Sequence, residues 1–558
     1  MGQDLKNMFL LVTCLAFQTV IGQDTKLTLN IYDESSLVPA RVEIKDAMDN
    51  YFIAENTLLF GGDCSNSEEP TKLTNLKTTL GSFKKVIENP YTRTTQFYST
   101  GESVIKLGQG TYYISIQKGL EYKVFRDTIT LNANADLTYE AYLKRWINMP
   151  QENWYGADDH LHIPRPVPEI DPYILQLIQA EDIHVGNLLQ IGKAEIFEHS
   201  PQYAFGLKGD YQKGNFIIAS GQENPRTHFL GHAISLGINK PIHNPEKYLI
   251  YRYIWEEVKR QGGLNGFAHG NERESYILSA HKGVSLLLPD DLMHFIEVMA
   301  FNRHEYSLWY DILNLGFKVA PTAGTDFPCG DNLPGHERFY TKVEGSFNYN
   351  NWLEGIRKGR TFVTVGPMVE FEIDNQPIGS ELERKAGDLI KIKGKVHLDP
   401  EQDDLNFIEI VQNGDVIFRI NDVSGKGLVN FEFTHTLQTT SWIAVRGIGD
   451  RKLETLFQER GEYTIASISP KSPFHTAPIY MVIQNESNPK TKHVAQSWLD
   501  RLNNMEIMLA EKNLNILAQH IQEPNWDNVP KEILINNRDE LLKEIFEAKE
   551  FFSNLIKD

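Results

Sequence analysis

The chain has 558 residues, with 55 Lys+Arg against 74 Asp+Glu and a formal charge of −19. The length allows about three to four domains, and 41% hydrophobic with 23% charged residues is a composition that can bury sizeable cores. This balance excludes a disordered tail, a collagen-like chain and a disulfide scaffold. It also disfavours nucleic acid or an anionic membrane as main partner, because both are met by clustered Lys and Arg.

Residues 1–22, MGQDLKNMFLLVTCLAFQTVIG, place Lys6 ahead of an apolar run from Met8 to Ala16, with Val20-Ile21-Gly22 before Gln23. That is the pattern of a cleaved signal peptide, and it predicts an exported, periplasmic or secreted chain. The run is too short to span a membrane, and no other segment approaches ~20 continuous apolar residues, so no transmembrane segment is expected. After cleavage only Cys64 and Cys329 remain, too few for a disulfide framework.

From residue 23 to 148, alternating runs such as LTLNIYD, ARVEIKD and TYYISIQKG predict an antiparallel β-sandwich. No histidine precedes His160, so this module is expected to be accessory, for packing or for contact with carbohydrate. From 152 to 366, apolar strands alternate with amphipathic stretches such as PYILQLIQAED and EKYLIYRYIWEEVKRQG. Strand–helix alternation of this kind predicts an α/β region with a mainly parallel sheet, open or closed into a barrel. From 367 to 487 the period-two pattern returns (VEFEIDN, LIKIKGKVHL, FIEIVQNGDVIFRI) and predicts a second β-sandwich, with Asn413-Gly414 as a hairpin turn. From 488 to 558, Val494, Trp498, Leu502, Met505 and Met508, then Leu541, Ile545, Ala548 and Phe552, recur at helical spacing. These stripes are expected to dock on the central region or on a second copy of the chain.

Twelve of the 17 histidines lie between His160 and His336. His160 and His162, in YGADDHLH, are two apart, and on a strand such residues share a face, a two-toothed grip for a transition metal. The same context then repeats. IIASGQ ends at Glu223, His232 follows in LGHAISLG, LNGFA ends at His269, FIEVM carries Glu297, and VAPTAGT ends at Asp326. In parallel α/β sheets, strand C-termini converge, so one His, Glu or Asp from each would build a shared metal site. Arg338 and Tyr340 in PGHERFY, and Arg165 in IPRP, are candidates for holding an anionic group of a substrate. His184, His228 and His336 are further mouth candidates, and Cys329 is a candidate soft ligand. No G-x-x-x-x-G-K-[ST] string, G-x-G-x-x-G after a strand, or G-x-S-x-G elbow occurs, so neither a nucleotide cofactor nor a serine nucleophile is expected.

The ordered set YGADDHLH, IASGQE, LGHAISLG, GFAHG, FIEVM, PTAGTD and PGHERFY…GRTFVTVGP resembles the PHP (polymerase and histidinol phosphatase) superfamily. More closely, it is similar to the CehA/McbA-type metallohydrolases. The resemblance implies a distorted seven-stranded β/α barrel over the central region, with a metal cluster at its mouth. It assigns His160, His162, Glu223, His232, His269 and Asp326 as metal ligands, and Asp158 as the acid before the first pair. It departs in two places: EDIHVGNLL stands where phosphatase members carry Thr-Asp-His, leaving His184 or Asn187 there, and Asp326 is not followed by a second histidine. Fewer than three metals are implied: one or two divalent ions, zinc first, with manganese or iron as alternatives. The implied activity is metal-assisted hydrolysis of an ester, carbamate or amide, or of a phosphoester, in a small-molecule or glycan-linked substrate. Asp326 or Asp158 would accept the water proton and Arg338 would assist. The alternative is a metal-stabilised platform that binds a glycan or cell-surface polymer without catalysis.

Overall fold

A computed structural model of the chain describes residues 25–54, 96–133, 135–195, 197–270, 281–327, 333–452, 471–522 and 529–557. The predicted signal segment, Cys64 and Cys329 lie outside the described residues. The fold is mixed α/β and rich in sheet, with eight α-helices among the described residues. None of them is long and apolar enough to cross a membrane.

In the N-terminal region, alternation produces two sheets that face each other. Strand Thr25–Asp33 pairs antiparallel with Glu102–Leu107 and parallel with Leu137–Leu143, while Ala40–Asp46 lies between Gln96–Ser99 and Gly110–Gln117. Leu27, Leu29 and Ile31 point inward from the first sheet onto Val42, Ile44, Ile114 and Ile116 of the second, as a period of two requires.

In the central region the strands are β1 (Trp154–Leu161), β2 (Val185–Gly192), β3 (Phe216–Thr227), β4 (Gly231–Leu236), β5 (Leu264–Phe267), β6 (Phe295–Met299), β7 (Ala320–Ala323), β8 (Arg338–Lys342) and β9 (Thr361–Thr364). The helices are α1 (Asp171–Ala180), α2 (Tyr251–Arg260), α3 (His281–Leu287), α4 (Ser307–Asn314) and α5 (Tyr349–Arg357). β1, β2 and β3 are parallel neighbours, as are β5, β6 and β7, and β4 joins the two sets by pairing antiparallel with both β3 and β5. The two ends of this row meet: Leu161 bridges Phe327 just beyond β7, and His162 N–H donates to the Phe327 carbonyl at 2.7 Å. The strands are buried on both faces and therefore read as apolar runs, with polar side chains concentrated at their C-terminal ends.

The sheet does not stop at residue 366. β8 runs antiparallel to β1, β9 pairs with β8, and β9 pairs in turn with Phe474–Thr476 from the following β-region. One layer of that region is therefore continuous with the central sheet, and Tyr340 and Phe362 share its apolar core. The opposing layer is Met368–Ile373, Leu389–His397 and Leu428–Thr436. Gln412 faces Asp415 across a two-residue loop in which Asn413 and Gly414 have φ of 52° and 89°, the left-handed conformations that such a turn needs.

The C-terminal helices are α6 (Thr491–Met508), α7 (Leu514–Gln522) and α8 (Lys531–Lys557). Their predicted stripes are buried in the central core, with Trp498 and Phe552 at 5.5 Å between ring centroids. Asn537 of α8 accepts from Leu249 N–H and donates to the Glu246 carbonyl, fastening the helix to the turn before α2.

Candidate metal centre

β1 carries His160 and His162 to the end of the sheet where β3, β5, β6 and β7 also finish. His160 Nδ1 lies 2.9 Å from Glu297 Oε1, and His162 Nδ1 lies 3.1 Å from the Leu189 carbonyl. A carboxylate and a carbonyl only accept, so in each neutral ring the proton sits on Nδ1 and a lone pair on Nε2. The two Nε2 atoms face each other at 3.0 Å. Asp326 Oδ1 is 2.9 Å from His162 Nε2 and 3.4 Å from His160 Nε2. Glu223 closes the other side, with Oε2 3.4 Å from His162 Nε2 and Oε1 3.7 Å from His160 Nε2.

With both rings neutral these are lone pairs directed at lone pairs in a buried space, an arrangement that repels unless a proton or a metal cation sits among them. Both Glu223 oxygens, Asp326 Oδ1 and His269 Nε2 are buried and make no hydrogen bond. Two groups of donor atoms fit a metal ion: His160 with Glu223 and His269, and His160 with His162 and Asp326, the atoms of each lying within 4.8 Å of one another. Both groups use His160, so the two sets of donors adjoin at that ring. The remaining carboxylate oxygens reach outward: Glu223 Oε1 is 2.8 Å from His232 Nδ1, and Asp326 Oδ2 is 3.4 Å from His269 Nε2. The donor set of imidazoles and carboxylates suits a divalent transition metal, whose identity it does not fix.

Electrostatics follow the same crowding. Burial disfavours the charged form of His160, but Glu297 and Asp326 outweigh it and push its pKa well above the usual imidazole value. Burial would raise Asp326, yet His160, His162 and His269 hold it well below the ordinary carboxylate range. Glu223 is likewise held down, against burial, by Arg226 and His232. The backbone is strained where the donors leave their strands. His269 and Asp326 have φ of 50° and 54°, and Phe301, whose ring centroid lies 4.7 Å from that of His269, has 54°. Three non-glycine residues in the left-handed region at neighbouring strand ends is the kind of strain that gathers at functional sites. Gly324 supplies room: a Cβ there would fall 2.4 Å from His160 Cβ and 2.7 Å from both Asp159 Oδ1 and Glu297 Oε1.

The other expected site residues lie elsewhere in the network. Asp158 accepts from Thr325 Oγ1 (2.6 Å), Thr325 N (3.2 Å), Gly335 N (2.8 Å) and His160 N (3.0 Å). Burial pushes its pKa up to about 6 despite these donors. Four donors occupy the four lone-pair positions of a carboxylate, so Asp158 fixes the strand end and has no position left for a water proton. Arg338, expected to meet substrate, donates to the carbonyls of Gly335, Asp182 (3.0 Å) and Glu181 (2.9 Å). Tyr340 donates to Glu121 at 3.0 Å and stacks on Phe362. Arg165 is engaged by Gln202, Asp171, Gly209 and Ser220. All three are fully buried and held in place by structural partners. His184 packs flat on Phe216 before β2, and burial lowers its pKa to about 4. Asn187 hydrogen-bonds the Asp158 carbonyl and Tyr349, so neither residue joins the cluster.

Two mouth residues escape sequence reasoning. Arg226 Nε lies 3.4 Å from Glu223 Oε2, because a register shift between Glu223 and Arg226 turns a residue three positions along toward the same side. Asp159 is buried beside Glu297, and burial and then Glu297 raise its pKa well above the usual carboxylate value.

No protein-family model matches this chain, and no curated protein matches it in sequence. Among solved structures it is similar to a two-domain protein from Bacteroides vulgatus ATCC 8482 containing a predicted PHP-like metal-dependent phosphoesterase, at 12% identity and a TM-score of 0.30. That match covers 56% of this chain and 95% of the other. A TM-score this low does not establish a common fold, so function is read from the residues of this chain.

Proposed function

We propose that this chain is a metal-dependent hydrolase of the PHP type, its central sheet serving as the barrel of that superfamily and His160, His162, Glu223, His269 and Asp326 holding one ion, with His232 beside a second position. The observation that carries this reading is the convergence of His160 Nε2, His162 Nε2, Asp326 Oδ1 and Glu223 in one buried space. A divalent cation bound there supplies Lewis acidity and lowers the pKa of a coordinated water from 15.7 toward about 7.

The chain's own residues then have distinct tasks. Glu297 holds His160 in the tautomer that presents Nε2, and its other oxygen accepts from His269 N–H at 2.7 Å, so one carboxylate orients two donors. Asp326, held as the anion by three imidazoles, is the carboxylate placed to take the proton of an attacking water. Arg226, partly accessible at the mouth, is placed to face the negative charge that develops on a carbonyl or phosphoryl oxygen. Zinc, manganese and iron all suit these donors, and the substrate class is an ester, carbamate or amide, or a phosphoester. Export through residues 1–22 is part of the same proposal.

Metal analysis of the purified full-length chain, with turnover of aryl ester, carbamate and phosphoester panels, tests this. The expected result is one to two equivalents of metal per chain and hydrolysis that chelator abolishes and metal restores. Absence of bound metal under metal-replete conditions overturns the reading. Metal without turnover of any panel member favours a binding platform instead.

A further inference from the structure

A second polar constellation lies where the N-terminal sandwich, the central region and the following β-region meet. Its recess, about 50 Å³, is lined by Arg41, Lys118, His336, Arg338 and Arg451, with Glu181 as the acid among the described lining residues. Glu181 is already matched: it accepts from Arg41 Nε at 2.7 Å and from Tyr98 at 3.0 Å. The remaining donors of Arg41 go to the side-chain oxygens of Gln96 and Gln117 (2.6 Å). Lys118 donates to the carbonyls of Pro39 (2.9 Å) and Gln179 and is countered by the charges of Asp182, Asp33 and Glu181, while Arg338 donates to carbonyls.

Arg451 is the least matched. Its side chain is 8% exposed, its Nε makes no hydrogen bond and lies 3.6 Å from Asp403 Oδ1, and its Nη1 is 3.4 Å from His336 Nδ1. Asp403 is itself buried and accepts from Ser472. Burial first, and then the neighbouring Arg338 and Arg41, lower the Arg451 pKa against the pull of Asp403. The same surroundings hold His336 well below its usual value. Among the described residues the Arg451 guanidinium is thus left buried, 3.6 Å from Asp403 and beside the guanidiniums of Arg338 and Arg41 in a partly dry space. That is costly unless an anion completes it.

We propose that this recess is a binding site for a tetrahedral oxyanion, a phosphate or sulfate group, met by the guanidinium of Arg451 with Arg41, Arg338 and Lys118 supplying the surrounding field. The fork of a guanidinium matches two oxygens of such a group. No residue of the metal centre lines the recess, and the inference does not depend on that centre.

The test titrates sulfate, inorganic phosphate and glucose 6-phosphate into the chelator-treated full-length chain, read by calorimetry and by the thermal midpoint, with chloride at matched ionic strength as control. Saturable binding is expected in the wild type, weakened by roughly tenfold or more in Arg451→Gln. It should be unchanged in His160→Ala/His162→Ala, which separates the recess from the metal centre. Binding of the inorganic ions alone assigns the site to a free anion, and binding of the sugar phosphate as well assigns it to an esterified group. A selenate-soaked wild-type crystal gives a check that needs no variant: a peak within hydrogen-bond distance of Arg451 is expected. No saturable binding in the wild type, equal binding in a folded Arg451→Gln chain, or selenate located only elsewhere overturns the proposal.

Discussion

His160 and Arg165 lie five residues apart and are equally buried, yet their surroundings differ in kind. Around Arg165 every nitrogen has an acceptor: Nε meets Gln202, Nη1 meets Asp171, and Nη2 meets Gly209 and Ser220. Around His160 acceptors crowd one nitrogen, with Nε2 facing another Nε2 and two carboxylates. Buried charge that is fully matched holds a loop in place. Buried charge left unmatched in a consistent direction is a place for something that is not part of the chain. The difference separates two sets of residues that are nearly adjacent in sequence.

The largest effect should come from emptying the unmatched side. His160→Ala/His162→Ala is expected to remove bound metal and to lower hydrolysis by about three orders of magnitude or more, since the coordinated water is lost. Metal content and turnover on the same preparation check it, and retention of both would break the distinction. On the matched side, Arg165→Ala should cost about 3–5 kcal/mol, because Asp171 loses its counter-charge and keeps only the Tyr203 hydroxyl, while metal content per folded chain stays the same. Denaturant midpoints with metal analysis measure the two together, and a loss of metal without loss of stability would reverse the assignment. Between these extremes, Glu297→Gln should weaken metal binding by about 10–100-fold, because the amide cannot accept from both His160 and His269 N–H as the carboxylate does. Competition with a chromophoric chelator reads this directly.

The candidate ligands were legible in sequence because parallel strands finish at a common end, so a His, Glu or Asp closing each apolar run implies a shared location even without knowledge of strand order. The structure brings His160, His162, Glu223, His232, His269 and Asp326 together there. Arg165, Arg338 and Tyr340 looked equivalent because closeness in sequence to a ligand does not say which way the chain turns next. Arg165 turns to Asp171, and Arg338 to the carbonyls that follow α1. Arg226 was hidden because a register shift breaks the period of two on which strand reading depends. The β-region after residue 366 read as a separate sandwich because alternation reports which face of a strand is buried and not which strand lies beside it. β9 is one residue run with partners on both sides of that boundary.

A smaller effect tests whether crowding of acids has the same consequence far from the mouth. Where α8 crosses α2, Arg252 Nε is 2.6 Å from Asp290 and 3.7 Å from Glu544, while its Nη1 is 2.6 Å from Glu547. One guanidinium cannot neutralise three carboxylates. Burial first, and then Asp290, Glu540 and Glu547, raise the Glu544 pKa to about 8, against the opposing pull of Arg252. The folded chain therefore binds a proton that the unfolded chain releases near the ordinary glutamate value of 4.5. With the folded pKa above the unfolded one, no penalty from this group exists below pH 4.5. Stability is lost progressively as the pH rises from there to about 8, where the folded state also deprotonates. Glu544→Gln removes the titration. It should leave stability nearly unchanged at pH 4.5 and raise it by about 1–2 kcal/mol above pH 8, an order-of-magnitude value for relieving a partly matched buried acid. Urea midpoints of both chains across that range check the sign. A difference between them that shrinks as the pH rises would mean that Arg252 satisfies Glu544 after all, and that a single cation can serve a crowded carboxylate cluster.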